Sequence, residues 1–284
     1  MKADIERKVK QTIEKYKLLS KKDKVLVACS GGKDSTTVLF LLNKFGYDVE
    51  ALFIDLFIGK YSEKNKEDVE RFCSELGVKL HEVSVKDVVG YSVCYLKSVL
   101  KSKGCNLKSC AICGAVKRHI LNRYAKRLKK TKLVTGHNLD DEAQSFVMNL
   151  LKDRMDLSLR LGPKTGVVEE KGFVPRVKPL YFCAEKDVEE FSRLMKFPVV
   201  YDSCPCSVDA FRRDVGRFLD KLERDAPGIK LRIVDYFLER MPRSKKRLGK
   251  LGYCENCGEP CSGKVCNVCG MVGLLGGKKR KVYK

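Results

Sequence analysis

Four short, β-prone runs alternate with helical patterns over the first half of the chain, and that alternation restricts its fold more than any other feature. The runs are residues 25–28, VEALFIDL (49–56), VKLHEVSV (78–85) and KLVTG (132–136). Between them the spacing predicts helices over 35–44, over 62–77 with Ser62 as N-cap and Gly77 as stop, and over the basic stretch 115–130. Largely apolar runs of this length suit strands buried on both faces, and helical crossovers make such strands parallel. The expected fold class is therefore α/β, a doubly wound parallel sheet whose ligand sits beyond the C-terminal strand ends.

Ile5, Val9, Ile13 and Tyr16 give the N-terminus an amphipathic helical spacing. Residues 86–113 read as an irregular stretch bearing Lys and Cys, and a helix is expected from Glu142. The Gly- and Pro-bearing segment 161–173 reads as a loop. Three helical patterns follow, at 185–196, 208–224 and 230–240. The expected organisation is an N-terminal helix (1–22), a nucleotide-binding α/β domain (23–182), a helical part (183–242) and a basic linker, cysteine-rich ribbon and basic tail (243–284).

The first predicted strand runs into Ser30-Gly31-Gly32-Lys33-Asp34-Ser35 and then into a helix. Glycines let an oxyanion approach the free N–H groups at a helix start, so the turn suits a phosphate. Lys33 offsets phosphate charge and Asp34 suits a bridging Mg²⁺. The pattern is not a Walker loop, because Asp follows the Lys and the upstream glycine is missing. A second segment, TGHNLDDEAQSF, sets Gly136 and His137 after a strand and Asp140, Asp141 and Glu142 at a helix start. For Asp140 ordinary capping is an equal reading.

Lys and Arg outnumber Asp and Glu by 58 to 36, a formal net charge of +22, which favours a polyanionic partner, nucleic acid above all. The charged N-terminus lacks the apolar core of a signal peptide, and no run approaches membrane-spanning length, so a cytoplasmic chain with no membrane contact is expected. Fourteen cysteines with CxxC spacings in such a chain point to metal or sulfur chemistry rather than disulfides. Cys254-x₂-Cys257 and Cys266-x₂-Cys269, closely spaced, supply four thiolates for tetrahedral Zn²⁺, with Cys261 a spare. Cys110-x₂-Cys113 precedes the basic helix, where the helix dipole and Lys117 are expected to lower the thiol pKa values. On spacing alone that pair is redox-active, metal-binding, sulfur-transferring or structural.

Taken in order, SGGKDS, the mid-chain CxxC, TGHNLDD, Cys204-Pro205 and the terminal double CxxC resemble the TtuA/NcsA group of tRNA 2-thiouridine synthetases, PP-loop ATP pyrophosphatases related to the TtcA thiolases. The resemblance implies a PP-loop fold and an ATP- and Mg²⁺-dependent tRNA sulfurtransferase that adenylates a uridine O2 and then inserts sulfur. It implies a [4Fe–4S] cluster on Cys110, Cys113 and Cys204, with one iron left open for sulfide, although Cys206 competes for the third place. It places ATP against Ser30, Gly31, Gly32, Lys33, Asp34 and Ser35, with Ile54 and Asp55 near the adenosine, and Gly136 and His137 near its phosphates. It gives Asp34 and Asp141 to Mg²⁺ and brings Lys117 to the sulfur.

The partners it implies are tRNA, contacted by the ribbon and the basic segments, and free sulfide or a ubiquitin-like carrier as sulfur donor. A homodimer is also expected. The wobble uridine, position 34, is favoured over position 54. No CxxC precedes Cys29, where many relatives begin with a zinc module. Cys29 and Cys105 read as small packing residues. Three other readings compete: a PP-loop synthetase for a small molecule, a cluster-free thiolase using a Cys110–Cys204 persulfide pair, and a zinc- and RNA-binding adaptor without turnover.

Overall fold

The computed structural model describes residues 2–105, 107–165, 172–202, 204–207, 211–240 and 252–276. Its main sheet contains β1 (Lys24–Cys29), β2 (Asp48–Asp55), β3 (Leu80–Ser84), β4 (Lys132–Val134), β5 (Lys164–Thr165) and β6 (Arg176–Val177), in the order β3-β2-β1-β4-β6-β5. Every pairing is parallel except the edge pair β5·β6. From β1 the chain moves outward through β2 and β3, then returns to lay β4 on the other side of β1. The order therefore reverses between β1 and β4, where open α/β sheets form their ligand crevice.

Alternation along β1 divides the core between the two sheet faces. Val25, Val27 and Cys29 pack on one face with α1 (Lys2–Lys15), α2 (Lys33–Lys44), α3 (Lys60–Glu75) and α9 (Glu185–Leu194). Leu26, with Leu52 and Leu133, packs on the other, against α4 (Val85–Val89), α5 (Val93–Ser102) and α6 (Ser109–Arg127). Each fully buried Leu or Val contributes roughly 1.5–3 kcal/mol. A third core joins α7 (Leu139–Leu151) to α10 (Phe211–Asp225) and α11 (Ile229–Arg240), with Phe146 stacked on Phe237 at 4.4 Å. The ribbon, β7 (Gly252–Tyr253), β8 (Pro260–Cys261) and α12 (Asn267–Gly273), packs into the core beneath α6 through Val268 and Met271. The short α8 (Met155–Ser158) follows α7.

Local differences from the sequence reading have physical causes. Residues 85–102 are two helices rather than an irregular stretch, opened by Ser84, whose Oγ accepts from Lys86 N, and Ser92, whose Oγ accepts from Tyr95 N. The basic helix begins at Ser109, so it includes Cys110 and Cys113 instead of following them. Gly59, at φ 53°, precedes α3, so Ser62 lies in the first turn with its Oγ accepting from Ile58 N. α7 starts at Leu139, three residues before Glu142, with Asn138 as its N-cap in a capping box with Asp141. Residues 166–171 of the expected 161–173 loop, the linker at 243–250 and the basic tail from 277 onward lie outside the described residues. Among the described residues no helix is long and apolar enough to cross a membrane.

Candidate active site

The β1–α2 turn is an open phosphate-sized cradle. Gly31 has φ 81°, a conformation that favours glycine, and an added Cβ would come within 2.3 Å of Asn65 Oδ1. Gly32 stands at the N-cap without a side-chain cap, so the first N–H groups of α2 remain available to a ligand. Ser35 Oγ accepts from Ser30 N at 3.1 Å and donates to Gly32 O at 3.0 Å, which ties the turn across its base.

The β4–α7 turn lies directly against this cradle. A Cβ on Gly136 would reach 2.8 Å from Ser35 N, so only glycine permits the approach. Asn138 Nδ2 donates to Asp34 Oδ1 at 2.9 Å, joining the two motifs. Burial is the largest influence on Asp34 and, with Asp141 and Glu185 nearby, pushes its pKa up to about 6, although Lys33 and Asn138 oppose the shift. Burial disfavours the Lys33 charge, but Asp34 and Glu185 outweigh it and raise the pKa. Its Nζ lies 3.3 Å from Asp34 Oδ2 and 2.7 Å from Glu185 Oε1.

His137 Nδ1 lies 2.9 Å from Thr135 Oγ1. Burial, together with Lys178, Arg212 and Arg176, lowers the His137 pKa to about 4 against the pull of Asp141, so the ring is neutral at pH 7. Asp141 receives Arg212 Nη1 at 3.3 Å. Asp140, one residue earlier, has a structural task. Its carboxylate takes Lys230 Nζ from α11 and accepts from Glu185 N at 2.7 Å, joining three helices behind the site. Ile54 and Asp55 end β2 at the same sheet edge, and Asp55 Oδ1 accepts from Phe57 N at 2.8 Å.

Three further cysteines lie at the start of α6 and at the Pro205–Ser207 turn, two elements that pack together. Cys110 is exposed and Cys113 half-buried in the first turn of α6, and Cys204 is half-buried just before Pro205. Cys113 feels the charges of Lys117, Cys204 and Cys110. The expected lowering fails for Cys113: burial outweighs Lys117 and raises its pKa. Thiolates are the donors an iron–sulfur cluster takes, although among the described residues only the ribbon cysteines bring their sulfur atoms within 4.8 Å of one another. Cys206 lies beside Cys94 and Cys204, and burial pushes it up to about 11. Cys29 and Cys105 pack in or against the cores, as expected for small residues.

In the ribbon, the Sγ atoms of Cys254, Cys257, Cys266 and Cys269 all lie within 4.8 Å of one another. Backbone N–H groups of Cys266 and Cys269 point at Cys254 Sγ and Cys266 Sγ, at 3.2 and 3.4 Å. That donor set fits a tetrahedral Zn²⁺. Cys261 donates instead to Gly263 O at 2.9 Å and stays outside the set.

Sequence reading missed Asn138, Glu185 and Arg212. Asn138 lies inside a motif already singled out, so its capping position was available. Glu185 and Arg212 sit 152 and 71 residues from their partners, and nothing local marks them.

Comparison with known proteins agrees with this geometry. A PP-loop domain model matches residues 1–219. The chain is 35% identical over 274 residues to tRNA-5-methyluridine(54) 2-sulfurtransferase of Pyrococcus horikoshii, covering 95% of this chain and 84% of that protein. It is 31% identical to cytoplasmic tRNA 2-thiolation protein 1 of Caenorhabditis elegans, covering 92% and 70%. Among solved structures, the U34-tRNA thiolase NcsA from Methanococcus maripaludis with its [4Fe-4S] cluster superposes with a TM-score of 0.82 at 29% identity, over 96% of this chain and 87% of that one. With an open phosphate turn, the linked GHNLDD motif and the ribbon cysteines in one fold, the chain belongs to the PP-loop family of tRNA 2-sulfurtransferases.

Proposed function

We propose that this chain 2-thiolates a uridine of tRNA, converting ATP to AMP and pyrophosphate, with each sequence-predicted residue in a definite role. The reading is supported by the phosphate cradle joined to the GHNLDD motif, and by Cys110 and Cys113 on a helix that packs against the turn following Cys204. ATP phosphates lie on the N–H groups of residues 30–35, Lys33 offsets their charge, and Ile54 and Asp55 border the adenosine. Asp34 and Asp141 hold Mg²⁺, which neutralises phosphate charge when bound. His137, neutral at pH 7, contacts a phosphate oxygen without adding charge.

The uridine O2 attacks the α-phosphorus. A new O–P bond forms, the bridging P–O bond breaks, and pyrophosphate leaves with the electron pair. The adenylated O2 is a good leaving group, so sulfide attack on C2 releases AMP. Cys110, Cys113 and Cys204 would hold a [4Fe–4S] cluster, which when bound would supply a site for sulfide. Cys204, next to Pro205 in the matched motif, is preferred to Cys206, which lies beside both Cys94 and Cys204. Lys117, one turn from Cys113, keeps positive charge beside the incoming sulfur.

Position 34 is the preferred target, supported by likeness to the NcsA structure. Position 54 is the second reading, carried by three relatives of 34–35% identity named for that position. Free sulfide or a carrier thiocarboxylate supplies the sulfur, and the working form is a cytoplasmic homodimer. Iron, acid-labile sulfide and zinc in anaerobically prepared protein test the cysteine roles. The reading requires about four irons per chain, lost in Cys110→Ala, Cys113→Ala and Cys204→Ala but kept in Cys206→Ala. Zinc without iron after reconstitution would overturn the cluster.

A further inference from the structure

Lys33, the only cation of the phosphate turn at 30–35, is already engaged. Its Nζ lies 2.7 Å from Glu185 Oε1, at the first residue of α9, and 3.3 Å from Asp34 Oδ2, and its side chain is only 15% exposed. ATP therefore meets a lysine whose charge two carboxylates have already answered. Mg²⁺ reconciles Asp34 with a triphosphate by bridging the two. Glu185 reaches Lys33 from a different helix, and a phosphate oxygen placed on the same ammonium would stand beside its full negative charge.

The surroundings of Glu185 let its side chain leave while its backbone stays. Its N–H donates to Asp140 Oδ2 at 2.7 Å, and Asp140 also takes Lys230 from α11. Leu139 N, at the start of α7, donates to Cys183 O at 2.9 Å, and Val188 and Phe191 of α9 are buried in the core. The Glu185 side chain itself is 48% exposed, and it stands in the first turn of α9, where the helix dipole favours a negative charge that has lost its partner. A carboxylate with water on one side and a helix N-terminus beside it gives up an ion pair at little cost.

We propose that Glu185 is a latch on Lys33: its carboxylate holds the ammonium while the phosphate turn is empty, gives it up when a triphosphate arrives, and takes it back as pyrophosphate leaves. Glu185 is thus a positioning residue, acting through Lys33 on nucleotide affinity and product release without touching the reacting atoms. The latch rests on the reading of residues 30–35 as an ATP cradle and is independent of which base is thiolated.

Binding of ATP and of pyrophosphate, each with Mg²⁺ and without tRNA, is measured by calorimetry for wild type, Glu185→Gln, Lys33→Gln and the double variant. Glutamine keeps the backbone N–H on Asp140 and removes only the charge, so the thermal midpoint of Glu185→Gln is expected within about 4 °C of wild type. Glu185→Gln is expected to bind both ligands about fivefold more tightly, to release pyrophosphate about fivefold more slowly in stopped flow, and to change neither quantity in the Lys33→Gln background. Unchanged binding would overturn the latch, and so would weaker binding, which would make Glu185 a support for Lys33 in the loaded site. A gain of equal size without Lys33 would overturn it too. A wild type that binds neither ligand would overturn the cradle and the latch together, whereas one that binds both yet makes no 2-thiouridine keeps the latch and sinks only the thiolase reading.

Discussion

Asp34 is pulled in two directions by its surroundings: burial favours the protonated form, while Lys33 and Asn138 favour the carboxylate. Its folded pKa of about 6 exceeds the ordinary 3.8, so the folded chain binds this proton more tightly than the unfolded one. The resulting stability is complete below the unfolded value and is lost as pH rises through about 6. Urea denaturation should therefore show Asp34→Asn gaining stability relative to wild type between pH 4 and 7, while ATP-to-AMP turnover in the variant falls to background. If the two proteins keep a constant stability difference across that range, burial does not govern Asp34. At Gly31, alanine must bear φ 81° and a contact of 2.3 Å with Asn65 Oδ1. Gly31→Ala is expected to cost about 1–3 kcal/mol in denaturation and to abolish ATP binding measured by calorimetry.

At the level of elements, α6 joins the Cys110–Cys113 pair to the ribbon. Its first turn carries Cys110 and Cys113, and its later turns hold the ribbon: Asn122 Nδ2 donates to Glu259 Oε2 at 2.6 Å and Lys126 Nζ lies 2.6 Å from Glu259 Oε1. Asn122→Ala strips buried partners from Val174 N, Gly172 O and Glu259 at once. A loss of about 1–3 kcal/mol is expected for each group left without a partner, read as a lower midpoint in thermal melts, with zinc released at lower chelator concentration. A melt and zinc retention matching wild type would show that the ribbon does not depend on this clasp.

The alternating strands, the helices of the main sheet and the cysteine knuckles were legible in the sequence because hydrophobic period and ligand spacing are local properties. The two helices at 85–102 escaped because their only signals are single serine caps on short segments. The early start of α6 escaped because its N-cap, Lys108, offers no capping side chain, yet that start decides that both cysteines ride on the helix. Glu185 joins Lys33 and Lys230 reaches Asp140 through tertiary packing, which no residue spacing encodes.

Across the whole molecule, the chain carries an excess of 22 positive charges, and its sheet order reverses between β1 and β4. Charge brings a polyanion to the surface, but selection of one uridine requires the base to reach the phosphate cradle. The direct measurement is nucleoside mass spectrometry of tRNA incubated anaerobically with the cluster-reconstituted protein, MgATP and sulfide, alongside assay of AMP. The expected result is 2-thiouridine at a single position, one AMP formed per thiolated base, and neither product with Asp34→Asn or Cys113→Ala. ATP turnover without any thiolated nucleoside, or thiolation that persists without ATP, would contradict an adenylating thiolase.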